Sequence, residues 1–250
     1  MSNLHDNGAS DWLAYFDDFR PQGRLYQAQS TIFVEALVAE VGVRKEHRVL
    51  DFGCGFGLVA AALAPLVAHV WMWDPVPNMR AAAAGNTAGV ANVRLCDLMA
   101  EHPVQPTVPA LDLILVNSVA QYMPPDELWA WLRRWPAMLA PGGKVVLSDL
   151  ISSDHSAWRD MVDLVRLGAR YGSPLRAVTD ALGDLNRYWR ISRAVPLVRV
   201  DHDELRCRAA EAGLQVTVLP CNLTHFSKRW TAVLRLAGGF CESASAQASV

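Results

Sequence analysis

Five short apolar runs recur through the middle of the chain, each closed by a turn and followed by a stretch with helical spacing. They are HRVLDF (47–52), AHVWMW (68–73), NVRLC (92–96), LDLILV (111–116) and KVVL (144–147). Residues 59–66, 78–85 and 126–139 read as the intervening helices. Continuous apolar strands that alternate with helices predict a parallel sheet covered on both faces. PPDEL (124–128) puts prolines and acids where a helix begins, and APGG (140–143) is expected to stop that helix before the next strand. LQVTVLP (214–220) and WTAVLRL (230–236) read as two closing strands. Only about ten residues lie between them, too few for a helical crossover, so antiparallel pairing is expected.

Two segments leave this rhythm. Residues 1–42 hold DWLAYFDDF and then a helical pattern over 27–41. Residues 152–200 keep helical periodicity over a long interval and carry Trp158, Tyr171, Tyr188 and Trp189. The small, polar tail ESASAQASV (242–250) predicts disorder.

Composition narrows the class. With 250 residues, 52% of them hydrophobic, the chain can bury a full core in one α/β domain with an insertion. A formal charge of −2 gives no electrostatic case for nucleic acid. The basic residues are mostly arginine and scattered. The five cysteines lack a C-x-x-C and suggest neither a disulfide framework nor zinc. The first residues do not form a basic-then-apolar leader, and no 18-residue uncharged apolar run exists, so no membrane contact and a cytoplasmic setting are expected.

The chemistry is concentrated in VLDFGCGFGLVAAAL (49–63), where an apolar strand ends in an acid, passes three alternating glycines and resumes as a helix. In a doubly wound sheet, ligands bind beyond the carboxyl ends of the strands, and this turn follows the first strand of the repeat. Gly53, Gly55 and Gly57 can take positive φ and let backbone approach a ligand. The next helix starts near Gly57, and its free N–H groups would welcome a carboxylate. A dinucleotide turn has the spacing G-x-G-x-x-G, whereas here the third position is Leu58 and the third glycine falls one residue early. Asp51 precedes the turn, placed to attract an ammonium group. Cys54 fills a variable place as a small residue rather than a nucleophile. Asp74 ends the second strand, 19 residues after Gly55, where a carboxylate can accept from two ribose hydroxyls. Asp97 follows the third strand, suited to an exocyclic amine on a base. Singly, each acid is a common loop or cap residue. Together they stand at three successive strand ends.

On these residues the chain resembles the Rossmann-like S-adenosylmethionine-dependent methyltransferases of small molecules. Their acid-x-Gly-x-Gly-x-Gly motif is matched by Asp51, Gly53, Gly55 and Gly57, and the likeness extends from about residue 25 to 236. The resemblance implies a seven-stranded sheet ordered 3-2-1-4-5-7-6 with the last strand antiparallel. It implies S-adenosyl-L-methionine as cofactor, its methionine part at the turn with Cys54, its ribose on Asp74 beside Pro75 and Met79, and its adenine on Asp97 and the Leu98 backbone. Asn117 and Ser118, ending the fourth strand, would line the methyl end. NSVAQY (117–122) is similar to small-molecule methyltransferases and lacks the D/N-P-P-Y signature of amino-nitrogen methylation on nucleic acid or protein glutamine. Residues 1–42 would be a helical cap on the cofactor, 43–241 the catalytic domain, and 152–200 a lid over the acceptor.

Methyl transfer from a sulfonium is an in-line displacement with the acceptor held about 3 Å from the methyl carbon. A base is needed only for an acceptor that must lose a proton. His155, just past the fifth strand, is the first candidate, with Tyr122 as an orienting group. Asp149 could pair with His155. His225 falls between the last two strands, nearer the far edge of the sheet. Between Arg159 and Arg199 stand eight arginines and four aspartates, an excess that would attract an anionic acceptor, with Trp158, Tyr188 and Trp189 available for an aromatic one. The alternatives are a nicotinamide-dependent oxidoreductase and a noncatalytic binding protein on the same fold. Neither the acceptor atom nor the oligomeric state is fixed by the sequence.

Overall fold

The computed structural model describes residues 6–17, 24–98, 109–153, 157–171 and 197–238. Seven strands form one sheet: β1 (Arg48–Phe52), β2 (His69–Trp73), β3 (Val93–Leu95), β4 (Leu111–Asn117), β5 (Leu139–Leu150), β6 (Leu214–Val218) and β7 (Trp230–Leu236). Their order is β3-β2-β1-β4-β5-β7-β6. The first five pair in parallel, and β7 runs antiparallel to both β5 and β6. The predicted fold class and strand order are therefore the observed ones.

Side chains alternate across the sheet and build two separate cores. On one face Leu50, Phe52, Ile114, Val116, Val145 and Leu147 pack against Leu128, Trp131 and Trp135. On the other, Val49, Leu113, Leu115, Val146 and Val233 pack against Phe33, Leu37 and Leu63. Burial on both faces is why the strands read as continuous apolar runs rather than alternating ones.

The described helices are α1 (Asp6–Asp17), α2 (Arg24–Val41), α3 (Leu58–Leu63), α4 (Pro77–Asn86), α5 (Pro125–Arg134), α6 (Ala157–Tyr171) and α7 (His202–Glu211). In α5, Pro125 opens the first turn, Asp126 and Glu127 sit at its positive end, and Arg133 and Arg134 at its negative end. A 3₁₀ turn, Trp135–Met138, follows directly.

One boundary differs from expectation. APGG does not precede β5 but lies inside it, since Leu139 already pairs with Leu111. A Cβ at Gly143 would stand 2.6 Å from the Leu111 carbonyl oxygen, so glycine here admits a neighbouring strand rather than ending a helix. Most of the proposed lid, the disordered-tail expectation for 242–250, and Tyr188 and Trp189 lie outside the described residues.

Candidate functional site

The turn after β1 is fastened to β2. Gly53 N–H and Cys54 N–H both donate to the Trp73 carbonyl, at 2.7 and 3.0 Å, and Gly57 N–H closes the bend onto the Cys54 carbonyl at 2.9 Å. All three glycines have positive φ, at 74°, 51° and 70°, but they serve different ends. A Cβ on Gly53 would meet Val119 Cγ2 at 2.5 Å, and one on Gly57 would press on Ala83 and Met72 at 3.1 Å. Those two glycines allow close packing within the protein. Gly55 alone faces open space, with no atom within 4 Å of its would-be Cβ. Of the three, only Gly55 would leave an added side chain clear of protein atoms.

Asp51 and Asp74 stand on either side of this turn, both raised by burial but differently partnered. Asp74 Oδ2 accepts from Gly55 N–H and Oδ1 from Val76 N–H, each at 2.9 Å. Arg80 is hydrogen bonded to the Asp74 and Pro75 carbonyls and adds positive charge nearby. Burial nonetheless raises the Asp74 carboxyl above its usual range. Asp51 is 3% exposed, and its Oδ2 has no hydrogen-bond partner among the described residues. Desolvation, reinforced by the Asp74 charge, pushes its carboxyl up to about 7. An ammonium group would meet both needs of Asp51, charge and donor. The residues present thus fit the amino-acid end of S-adenosylmethionine. Burial likewise pushes the Cys54 thiol far above its ordinary value, so it stays protonated and is no nucleophile.

Around the turn, Pro75 is exposed, whereas Met79 is buried with Val76, Trp12 and Tyr15. Phe16, Tyr26, Phe56 and Tyr122 pack on that group. The Tyr122 ring lies 4.7 Å from Trp12 and 4.9 Å from Phe16, centroid to centroid. The Asn78 side chain holds α1 to α4 by donating to the Asp17 carbonyl at 2.9 Å. Thus α1 brings its aromatic face beside Phe56 of the glycine turn. Asp97 is exposed just beyond β3, and Leu98 is half-buried against the core.

At the ends of β4 and β5 a second polar group of residues is assembled. Ser148 Oγ donates to Asn117 Oδ1 at 2.7 Å, and Ser118 Oγ to Asp149 Oδ2 at 2.8 Å. Ser118 and Asp149 both take left-handed backbone, with φ of 58° and 68°. Asp149 is fully buried and receives four side-chain donors. Thr224 Oγ1 (2.6 Å) and Asn222 Nδ2 (3.1 Å) reach Oδ1, while Ser118 and Arg229 Nη1 (2.7 Å) reach Oδ2. Arg229 also binds Asp160 of α6 through Nη2 at 2.6 Å. The two carboxylates push the Arg229 guanidinium pKa above its already high value against the opposing effect of burial.

The acceptor capacity of Asp149 is therefore filled without His155. His155 itself lies outside the described residues. Sequence reasoning missed the Asp149–Arg229–Asp160 grouping, whose members are 69 and 80 residues apart and share no motif. His225 lies between the last two strands, as expected, but in surroundings the sequence does not show. It is influenced by Asp149, Arg229, Asp163 and Asp160, and both ring nitrogens are buried with no partner among the described residues. Gln121, 2% exposed, likewise has no partner for either side-chain amide atom among them.

A seven-stranded sheet with β7 reversed, bearing an acid and three glycines after its first strand, defines the class I, Rossmann-like methyltransferases. Residues 49–143 match the family model described as "Methyltransferase domain". A protein-L-isoaspartate O-methyltransferase of Anaeromyxobacter dehalogenans is 37% identical over 138 residues, covering 54% of this chain and 61% of the relative. A trans-aconitate 2-methyltransferase of a Mycobacterium species is 32% identical over 136 residues, covering 51% and 48%. The chain thus spans about three fifths of the first relative and about half of the second. Among solved structures, the N-methyltransferase NodS of Bradyrhizobium japonicum with bound S-adenosyl-L-homocysteine superposes with a TM-score of 0.54 at 15% identity, covering 92% of this chain and 97% of that one. That likeness is one of fold. The match to a methyltransferase domain favours the methyl-donor reading of the turn over the nicotinamide one. No described helix is long and apolar enough to cross a membrane, and no group of metal-ligating residues occurs among the described residues.

Proposed function

We propose that this chain is a methyltransferase that binds S-adenosyl-L-methionine at the glycine turn and passes its methyl group to a small molecule. The observation that carries the reading is the pairing of Gly55, open on its ligand side, with the unpartnered, buried Asp51 Oδ2. In this reading Asp51 holds the ammonium group and the Gly55 backbone lies along the methionine part. Asp74 accepts from the ribose hydroxyls through its remaining lone pairs, and Asp97 with Leu98 takes the adenine. Asn117, Ser118 and Tyr122 border the methyl end. The cofactor supplies an electrophilic methyl carbon on a sulfonium. An aromatic wall of Trp12, Phe16 and Tyr122 is a suitable neighbour for that positive charge.

Helix α1 acts as the cap, and the segment that includes α6 borders the acceptor. The arginine excess of 152–200 suggested an anionic acceptor. In the described part, however, Arg159, Arg166 and Arg170 are exposed, while Asp163 is buried and Asp160 half-buried. The inward charge is acidic, which favours an uncharged acceptor or an amine over an anion. A cytoplasmic, biosynthetic role belongs to the same proposal, because the methyl donor is made and used inside cells.

Calorimetric titration with S-adenosyl-L-homocysteine and, separately, with NAD tests the reading. Saturable binding of the first and none of the second is expected. Binding of NAD alone, or of neither, would remove the basis for the assignment.

A further inference from the structure

The loop from β6 to β7 returns over the carboxyl ends of β4 and β5 and is fixed there through Asn222, Thr224, Ser227 and Arg229. Asn222 Oδ1 accepts from Asp149 N–H at 3.2 Å, and its Nδ2 donates to Asp149, Thr224 Oγ1 and the Phe226 carbonyl. Thr224 donates to Asp149, and Ser227 binds Asp163 of α6 through both N–H (2.8 Å) and Oγ (2.7 Å). Arg229 joins Asp149 to Asp160 and lies 4.1 Å over the Phe226 ring. Inside this frame one polar side chain is left over. His225 follows Thr224 directly and packs 3.9 Å from Phe226, with neither nitrogen engaged among the described residues.

A loop with this many internal bonds could readily have supplied a partner. Asp149 is already filled by four donors. Asp163 receives Ser227 and Arg166, and Asp160 receives Arg229. Each carboxylate near the imidazole thus has at least one oxygen engaged elsewhere, and the imidazole, packed against Phe226, has no hydrogen bond among the described residues. Its frame connects to the methyl end through one further step, because Asp149 Oδ2 carries the Ser118 hydroxyl at the end of β4. Arg229, on the other side, is within electrostatic reach of Tyr122.

We infer that His225 is the proton acceptor of the transfer, and that the acceptor substrate therefore offers an oxygen or nitrogen that carries a proton. The inference rests on the methyltransferase reading above. In the step, the lone pair of the acceptor atom forms the new bond to the methyl carbon, and the carbon–sulfur pair departs onto sulfur. His225 takes the proton from the acceptor atom and becomes imidazolium, so the single positive charge moves from sulfur to histidine and is later lost as a proton to water. The role requires a neutral ring, and the surroundings provide one. Burial is the largest influence and lowers the imidazole pKa, with Arg229 acting in the same direction, while Asp149, Asp163 and Asp160 pull the other way.

The test exploits the charge difference between two cofactor forms. Histidine-selective isotope labelling of the full chain gives the His225 resonance, assigned by its loss in His225→Gln or, should that variant not fold, by its contact with the Phe226 ring. Its titration midpoint is followed with S-adenosylmethionine, which carries the sulfonium, and with S-adenosylhomocysteine, which does not. If His225 faces the methyl group, the midpoint in the sulfonium complex lies lower by about half a pH unit or more. His47, at the opposite end of β1, should not respond. Equal midpoints for His225 in two saturated complexes overturn the inference and leave the methyltransferase reading standing. If neither ligand binds, that reading falls and the inference falls with it.

Discussion

The two ends of the site handle buried charge in contrasting ways. At the glycine turn, Asp51 is buried and one of its oxygens has no partner among the described residues. At the ends of β4, β5 and β7, Asp149 is buried just as fully but meets four donors, one of them an arginine. A buried polar group without a partner is costly, so a fold retains few of them. On the proposed reading the turn receives the ammonium group of the methyl donor, whereas the Asp149 network is satisfied by protein donors and holds other groups still. The first end is built to receive, the second to support.

The sharpest way to break this contrast is to unbalance the support. Arg229→Met leaves Asp149 and Asp160 facing each other without their shared cation. Removing one partner of a buried ion pair typically costs about 3–5 kcal/mol. Urea denaturation should show a loss of that order. Any folded remainder should bind adenosylhomocysteine almost as before, since the turn lies at the other end of the site. A variant as stable as the parent would mean that the network is no scaffold.

The glycines provide the next test, because the sequence treats them alike and the structure does not. Gly55→Val adds a side chain where no protein atom stands within 4 Å, so its cost to stability is the left-handed backbone alone, about 1–2 kcal/mol. Affinity for adenosylhomocysteine should fall by about a hundredfold or more, equivalent to about 3 kcal/mol. Gly53→Ala should do the reverse, since its Cβ would collide with Val119 at 2.5 Å. Overpacking of that kind costs about 1–3 kcal/mol and should appear chiefly as a lower melting temperature. Equal effects on binding and stability in the two variants would dissolve the distinction.

The same division explains what was legible in the sequence. The turn and its acids are local: Asp51 to Gly57 is one short stretch, and Asp74 is read from the strand that precedes it. Strands buried on both faces announce themselves as apolar runs, which is why β1, β2 and β4 begin or end within a residue or so of expectation. The start of β5 was concealed because glycine has two uses, and APGG looks the same whether it ends a helix or admits a neighbouring strand. The support network was not legible at all. Ser118, Asp149, Asp160, Asn222, Thr224 and Arg229 come from four elements or loops and meet only after the antiparallel β7 has been placed. His225 was undervalued for that reason: its neighbourhood is made by long-range packing and leaves no spacing to recognise.

A third prediction sharpens the contrast through pH. The Asp51 carboxyl is raised in the folded protein to about 7. The stability derived from burying it as a neutral acid is present at pH below about 4 and is lost as pH rises toward 7. Ligand binding runs the other way, since an ammonium group is held by the carboxylate. Affinity for adenosylhomocysteine should therefore level off above pH 7 and fall by up to about tenfold for each unit below it. Asp51→Asn should bind at least tenfold more weakly at pH 8 and lose this dependence, while its own stability varies less between pH 5 and 8. Calorimetry across that range decides the matter, and a parent affinity indifferent to pH would separate Asp51 from the ammonium group.

The smallest effect is expected where the receiving end meets its cap. Asn78 Nδ2 donates to the Asp17 carbonyl at 2.9 Å, while the Asn78 backbone N–H reaches Asp17 Oδ1 at 3.3 Å. Asn78→Ala removes only the first of these. The bond is exposed, so its net contribution lies toward the low end of about 0.5–1.5 kcal/mol. If α1 closes over a bound cofactor, that loss should appear as roughly a threefold faster release of adenosylhomocysteine in stopped-flow displacement, with the melting temperature of the ligand-free chain nearly unchanged. An equal destabilisation of the free and bound chain would instead make α1 a permanent wall of the site, and Trp12, Phe16 and Tyr122 part of its fixed core.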